Sequence, residues 1–153
     1  MASDDEVVTW WGLVIEGYLA TQRGLMTEIR ERCGLAPAPF DILLRLVRTP
    51  GNRMPMTRLA GEAALSSGGF TKVADRLVDA GLIERVPSAS DRRVVQCALT
   101  DRGRDLAEHA RKECAEILRR RVLDPLGPDA ATALADAMRT LRAANAADGP
   151  LPN

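Results

Sequence analysis

Apolar residues recur at helical spacing along the first part of the chain. Between Asp5 and Cys33 they follow one another at steps of three, four or seven positions, which places them on one side of an α-helix. Gly34 comes directly after this stripe and is a typical residue for ending a helix. The pattern therefore predicts one long amphipathic helix, whose broad apolar side carries Val7, Val8, Trp11, Val14, Ile15, Tyr18, Leu19, Leu25, Met26, Ile29 and Cys33.

Three shorter helices are predicted before the pattern changes. Residues 37–51 begin with prolines, and the helix that they predict stops before Pro50. A short helix is expected from about Pro55 to Ala64, and residues 66–81 predict a further helix that stops at Gly81. The N-cap of this last helix is Ser66 or Ser67, and its inner face is Phe70, Val73, Ala74 and Leu77.

Two short β-branched runs follow, at residues 82–86 and 94–99, and the polar stretch "PSASDRR" joins them. This arrangement predicts an antiparallel hairpin with an exposed tip. Two short helices followed at once by a hairpin are the elements of a winged helix-turn-helix, whose second helix enters the DNA major groove. The predicted fold is mainly α with a small β-hairpin wing, and residues 37–99 are its DNA-binding domain.

Two long helices are predicted after the hairpin. The first is capped by Thr100 and runs to about Val122, residues 124–129 break it, and the second covers about 129–146. The apolar stripes of the terminal helices are larger than a lone small lobe could cover, which indicates a dimer of the usual interface size. Residues 5–34 and 100–147 are therefore the expected dimerisation region, and residues 148–153 the expected disordered tail.

The predicted helix over residues 66–81 is the second helix of the helix-turn-helix. It begins with "SSGGFTK", which is small and polar on its outer side. Gly68 and Gly69 would let the backbone approach DNA closely, at a cost in helix propensity. The alternative is that the glycines only make a loose turn. The candidate DNA contacts on this helix are Ser66, Ser67, Gly68, Gly69, Thr71, Lys72 and, for a phosphate, Arg76.

The tip of the predicted hairpin carries two adjacent arginines, Arg92 and Arg93. An arginine at such a tip can enter a neighbouring minor groove, where narrow A·T tracts concentrate negative potential. Asp91 is expected to pair with Arg93 and to hold the tip in shape. The alternative is a solvated turn, which is the usual fate of a surface charge cluster.

The charge of the chain supports an anionic partner for its middle part. Basic and acidic residues balance overall at 21 each, but residues 37–100 carry nine basic and six acidic side chains, a net charge of +3. Three cysteines without CxxC spacing suit a reducing compartment. The N-terminus "MASDDEVV" does not resemble a signal peptide, and no apolar run would span a bilayer, so we expect a cytoplasmic protein without a membrane partner.

The stretch "DRRVVQCALTDRG" resembles the wing pattern of the MarR family of winged-helix transcriptional regulators, with Asp91, Arg93, Leu99, Thr100 and Gly103 at the matching places. Residues 65–85 likewise resemble the recognition helix and first wing strand of that family. The resemblance covers about residues 10–145. It implies a homodimer, built from the first helix and the last two, that represses or activates from a pseudopalindromic double-stranded DNA operator and is released by a small ligand.

The resemblance also implies a ligand pocket between the dimerisation helices and the winged domain, for an aromatic or amphipathic effector. In the urate-responsive branch a Trp, an Asp, and an Arg on the wing strand are used, and this chain has Val73 where that branch has a further recognition-helix Arg. Two alternatives are that Trp10 and Trp11 belong to the dimer core, and that Asp41 only pairs with Arg45. The candidate ligand residues are Trp10, Trp11, Val14, Tyr18, Phe40, Asp41, Leu44 and Arg85.

Three other functions are alternatives to this one. The first is a cysteine-based redox sensor of the same fold, but Cys33 lies at the predicted C-terminus of a helix, whose negative dipole end disfavours a thiolate. An enzyme would need converging catalytic or metal-binding groups, and His109 is the single histidine, so no catalytic residue, metal or cofactor is expected. A winged helix that binds only protein is the remaining alternative, and a steep salt dependence of DNA binding would distinguish it.

Overall fold

The computed structural model describes residues 1–63 and 65–146, apart from the side chain of Ser67, so the expected tail at 148–153 lies outside the described residues. The chain is mainly helical with one small sheet, as predicted. Its elements are α1 (Asp4–Cys33), α2 (Pro37–Val47), a 3-10 turn (Pro50–Asn52), β1 (Arg53–Pro55), α3 (Met56–Glu62), α4 (Ser67–Asp79), β2 (Ile83–Pro87), β3 (Val95–Leu99), α5 (Asp101–Leu118), a π-helical turn (Arg119–Leu123) and α6 (Asp124–Asn145).

Both ends of the first helix follow from local chemistry. At its start Ser3 and Glu6 form a capping box: the Ser3 backbone donates to the Glu6 carboxylate at 2.8 Å, and the Glu6 backbone donates to the Ser3 hydroxyl at 3.3 Å. At its end Gly34 adopts φ +67°, a conformation that favours glycine. The predicted long helix is thus confirmed.

The sheet has a third strand that the sequence pattern did not predict. β1 pairs with β3, with Met54 opposite Cys97, and the strand order is β1-β3-β2. Three residues are too few to show alternation, and only the pairing with β3 defines the strand. As a result α3 begins at Met56, one residue later than expected, and ends at Glu62, whereas the predicted end at Ala64 lies outside the described residues.

One hydrophobic core joins the winged region to the long helices. Its fully buried side chains come from α1, α2, α3, the sheet and α5, and α4 contributes the inner face predicted for it. The largest side chains that are completely buried are Ile29, Ile42, Leu43, Leu46, Leu59, Ile83 and Ile117. The recognition elements therefore sit on a rigid support.

The start of α5 is fixed tightly to the residue that precedes β2. The Thr100 hydroxyl donates to the Gly81 carbonyl at 2.6 Å and accepts from the Gly103 amide at 3.0 Å, so the predicted cap is confirmed. A Cβ on Gly103 would lie 1.7 Å from the Leu82 carbonyl oxygen. The Thr-x-x-Gly pattern is explained by this contact, since only glycine allows the two backbones to approach so closely.

The connection between α5 and α6 corrects one prediction. The expected break over residues 124–129 is confined to Gly127, which has φ +77° and ψ 164°, while the residues before it continue the helix through the π-helical turn. Pro128 then follows at the start of the next helical turns, where its missing N–H is tolerated.

Ion pairs attach the second half of α1 to the end of α5 and to the π-helical turn that follows it. Glu28 accepts from Arg120 at 2.6 Å and from Arg121 at 2.8 Å, and Arg32 donates to Glu113 at 2.7 Å. The hydrogen bond from Arg120, ahead of that from Arg121, lowers the pKa of the Glu28 carboxyl below its ordinary value.

The first half of α1 and all of α6 project from this core. No residue of α6 is buried, and Trp10 and Trp11 are each more than half exposed in the single chain. Exposed apolar side chains that recur along two helices indicate an interaction surface. The exposed apolar residues of these two arms are Val7, Val8, Trp10, Trp11, Leu13, Val14, Ile15, Tyr18, Leu19, Leu126, Leu134, Met138 and Leu141.

Candidate nucleic-acid interface

The start of the recognition helix α4 is capped by Ser66. The Gly69 amide donates to the Ser66 hydroxyl at 3.1 Å, which decides between the two serines that the sequence offered. The capping hydroxyl is exposed and retains its own hydrogen for a further acceptor. Ser67 is the first residue of the helix, and its predicted side-chain role lies outside the described residues.

The surroundings of Gly68 and Gly69, the two glycines of this first turn, differ in whether they leave room for a side chain. A Cβ on Gly69 would lie 3.0 Å from the Ser66 hydroxyl oxygen, so the cap itself favours glycine there. A Cβ on Gly68 would meet nothing within 4 Å. The fold therefore does not require glycine at position 68, and the open space above it is available to an approaching ligand.

The outward side of α4 presents polar and cationic side chains. Thr71, Lys72 and Arg76 are exposed, while Phe70 and Leu77 on the opposite side are buried in the core. Within the described part of the chain, Lys72 and Arg76 form no ion pair. Both cations are consequently able to meet phosphates without first losing a protein partner.

The tip of the wing has the predicted shape. The Asp91 carboxylate accepts from the Arg93 backbone at 3.0 Å and from its guanidinium at 3.4 Å, which confirms the expected pair. Backbone hydrogen bonds from Ser88 to Val94 and from Val94 to Asp91 close the loop. The Arg93 side chain is 93% exposed, and Arg92 beside it is exposed as well. The tip thus carries two accessible guanidinium groups on a hydrogen-bonded turn.

Sequence reasoning missed one contact between the wing and the recognition helix. Arg85 of β2 donates to the Asp75 carboxylate of α4 at 2.5 Å. No local signal marks this pair, because its partners are ten positions apart and meet only when β2 packs on α4.

A profile described as MarR family matches residues 26–94. Over these residues the chain resembles the MarR family of transcriptional regulators. Among curated relatives, the HTH-type transcriptional repressor MdtR of Bacillus subtilis is 28% identical over 103 residues, which are 67% of this chain and 65% of MdtR.

Solved structures of MarR-family proteins share the fold. Sco3205 from Streptomyces coelicolor, in complex with DNA, has a TM-score of 0.76 and 24% identity over 92% of this chain and 91% of its own. NadR in complex with 4-hydroxyphenylacetate has a TM-score of 0.70 and 24% identity over 84% of this chain and 91% of its own.

The ligand residues expected from the MarR resemblance fall in separate places within one chain. Trp10, Trp11, Val14 and Tyr18 are exposed on the projecting half of α1, Phe40 is buried, and Leu44 is half-buried against the core. Asp41 accepts from Arg45 at 2.9 Å, so the simple ion pair considered as an alternative is present. A shallow depression of about 310 Å³ lies elsewhere, along Arg23, Met26, Thr27, Arg30 and Glu31. The assignment of a ligand pocket stays a prediction.

The three cysteines are free thiols with little tendency to ionise. Burial raises the pKa of Cys97 to about 11, and burial also raises the pKa values of Cys33 and Cys114. The raised pKa of Cys33 agrees with the expectation that its thiolate is disfavoured, but the largest cause of the shift is burial rather than the end of the helix. His109 is exposed. Among the described residues, no group of three or more potential metal ligands and no membrane-spanning helix is found.

Proposed function

We propose that this DNA-binding regulator of MarR type is a homodimeric repressor of a pseudopalindromic operator and is released by a small ligand. The observation that carries the proposal is the combination of an outward cationic side on α4 with an arginine-bearing wing tip of defined shape. The role is regulatory rather than catalytic, is located in the cytoplasm, and requires no cofactor.

In the proposed complex, α4 lies in the major groove and the wing follows the adjacent minor groove. Thr71 and Lys72 are directed at base edges or phosphates from the second turn of α4, and Arg76 at a phosphate one turn later. Ser66 and the open backbone at Gly68 meet the sugar–phosphate chain. Arg92 and Arg93 supply the minor-groove contact.

The exposed arms support a homodimer. The apolar residues of the first half of α1 and of α6 would be covered by the same arms of a second chain, which is the isologous arrangement of a two-fold dimer. A stable pair of this kind buries on the order of 1,000–2,000 Å². The two recognition helices would then lie about 34 Å apart, in successive turns of one DNA face. Residues 5–34 and 100–147 are proposed for dimerisation and 37–99 for DNA binding.

A small effector is the finer part of the proposal. NadR was solved with an aromatic carboxylate, and the aromatic residues Trp10, Trp11 and Tyr18 stand exposed where a dimer would enclose them. An effector that prefers the arrangement unable to bind DNA would release the operator, and a coupling of about 1–3 kcal/mol is typical.

Selection of bound duplexes from a random pool, followed by titration at several salt concentrations, tests DNA binding. The expected result is one pseudopalindromic sequence bound with a steep salt dependence. Arg93→Ala should weaken binding and reduce the slope of log K against log salt by about 0.9, the value for one phosphate contact. Arg104→Ala is the matched control, because Arg104 also pairs with an aspartate, Asp101, at 2.8 Å, but on α5.

Two results would contradict the proposal. Parent protein that binds no duplex in low salt would favour a winged helix that binds only protein. If Arg93→Ala and the parent bind the selected duplex with equal affinity, the wing tip does not contribute to DNA binding. Sedimentation of the parent as a monomer would separately refute the dimer.

A further inference from the structure

The Asp75–Arg85 pair lies on the side of the molecule assigned to DNA. Asp75 is on the outward side of α4, three residues after Lys72 and next to Arg76, and its side chain is 56% exposed. Arg85 comes from β2, on the sheet face that also carries the buried Ile83. Its guanidinium lies 2.5 Å from the Asp75 carboxylate and connects the wing to the middle of the recognition helix.

The carboxylate of Asp75 poses a problem for a helix that must approach a polyanion. An unpaired negative charge on this side would repel the phosphates on both edges of the groove. A guanidinium in contact neutralises the carboxylate, and one carboxylate oxygen remains to accept a hydrogen bond.

We propose that Arg85 is a positioning residue for operator binding, which acts by neutralising Asp75 and by holding the wing at a set distance from α4. The inference rests on the proposed function, because it takes α4 and the wing as the DNA-contacting elements. It gives Arg85 a role other than the ligand contact expected from the family resemblance.

The exposure of the pair separates this role from a structural one. Both side chains are more than a third exposed, at 36% for Arg85 and 56% for Asp75. Exposed ion pairs contribute little to folding. The effect of breaking the pair should therefore appear in DNA affinity and leave the thermal midpoint of unfolding unchanged.

A double-mutant cycle measured on operator duplex tests the proposal. Arg85→Ala should weaken binding by roughly tenfold, because it leaves the Asp75 charge facing the phosphates. The double variant, which carries both Arg85→Ala and Asp75→Asn, should regain most of the lost affinity. Asp75→Asn alone should lower the ratio of operator to scrambled-duplex affinity, since the wing is no longer held to α4.

The control cycle uses the exposed pair of Glu108 and Arg111, which lies 2.8 Å apart on α5. Glu108→Gln and Arg111→Ala should leave the affinities for operator duplex and for scrambled duplex at the parent values. A double variant at positions 75 and 85 that binds as weakly as Arg85→Ala would overturn the inference, because removal of the Asp75 charge would then not compensate for the loss of Arg85. Single variants that bind like the parent would also overturn it. A parent that binds no duplex would instead overturn the proposed function, and this inference with it.

Discussion

Substitution of Gly103 by alanine tests how closely the start of α5 is joined to the segment before β2. The added Cβ would lie 1.7 Å from the Leu82 carbonyl oxygen, and carbon–oxygen contacts of this kind are essentially never shorter than 3.0 Å. The two backbones must therefore separate by at least 3.0 − 1.7 = 1.3 Å. Such a shift also stretches the Thr100 bonds to Gly81 and Gly103, which are 2.6 and 3.0 Å long.

The expected cost follows from two opposing effects. Alanine in place of glycine favours the helix by up to about 1 kcal/mol, whereas overpacking against rigid backbone costs about 1–3 kcal/mol or more. Loss of the Thr100 cap would add about 1 kcal/mol to that cost. We expect a net destabilisation of about 2 kcal/mol, which corresponds to a fall in melting temperature of roughly 4–8 °C for a chain of this size.

Thermal and urea unfolding at one fixed protein concentration would measure this change, because dimerisation makes stability concentration-dependent. Gly61→Ala in α3 is the matched control, since a Cβ there would meet nothing within 4 Å. That variant should be as stable as the parent or more stable by up to about 1 kcal/mol. If Gly103→Ala unfolds at the same temperature as Gly61→Ala, the backbone contact at Leu82 is not as close as described.

Three further predictions concern the interface, the ion pairs and the thiols. Gly68→Ala should keep or slightly raise thermal stability but weaken operator binding, and unchanged binding would show that DNA does not approach this backbone. The Arg120 and Arg121 guanidinium groups hold the Glu28 pKa below its ordinary 4.5, so their stabilising effect is present above that pH and lost as the pH falls through the lowered pKa. Glu28→Gln should therefore flatten the dependence of the free energy of unfolding on pH in that acid range, and an unaltered pH dependence would argue against the ion pairs. Because burial raises the pKa of Cys97 to about 11, its thiol should resist iodoacetamide at pH 8 in the folded protein and react in urea, whereas rapid native labelling would restore the redox hypothesis.

The sequence by itself determined the elements whose causes are local. The length of α1, the Thr100 cap and the Asp91–Arg93 pair all depend on partners within four positions or on periodic burial. Those interactions are available to any chain with the same short segment, and so the pattern of residues is enough to predict them.

Only the tertiary structure decided the contacts between distant segments. The strand β1 exists because Arg53–Pro55 meets β3, and Gly103 is needed because Leu82 lies against it. Arg85, for which the sequence indicated no protein partner, pairs with Asp75 across the junction of β2 and α4. Each of these depends on which surfaces pack together in three dimensions, and neither periodicity nor composition specifies the partner of a side chain that is many residues away.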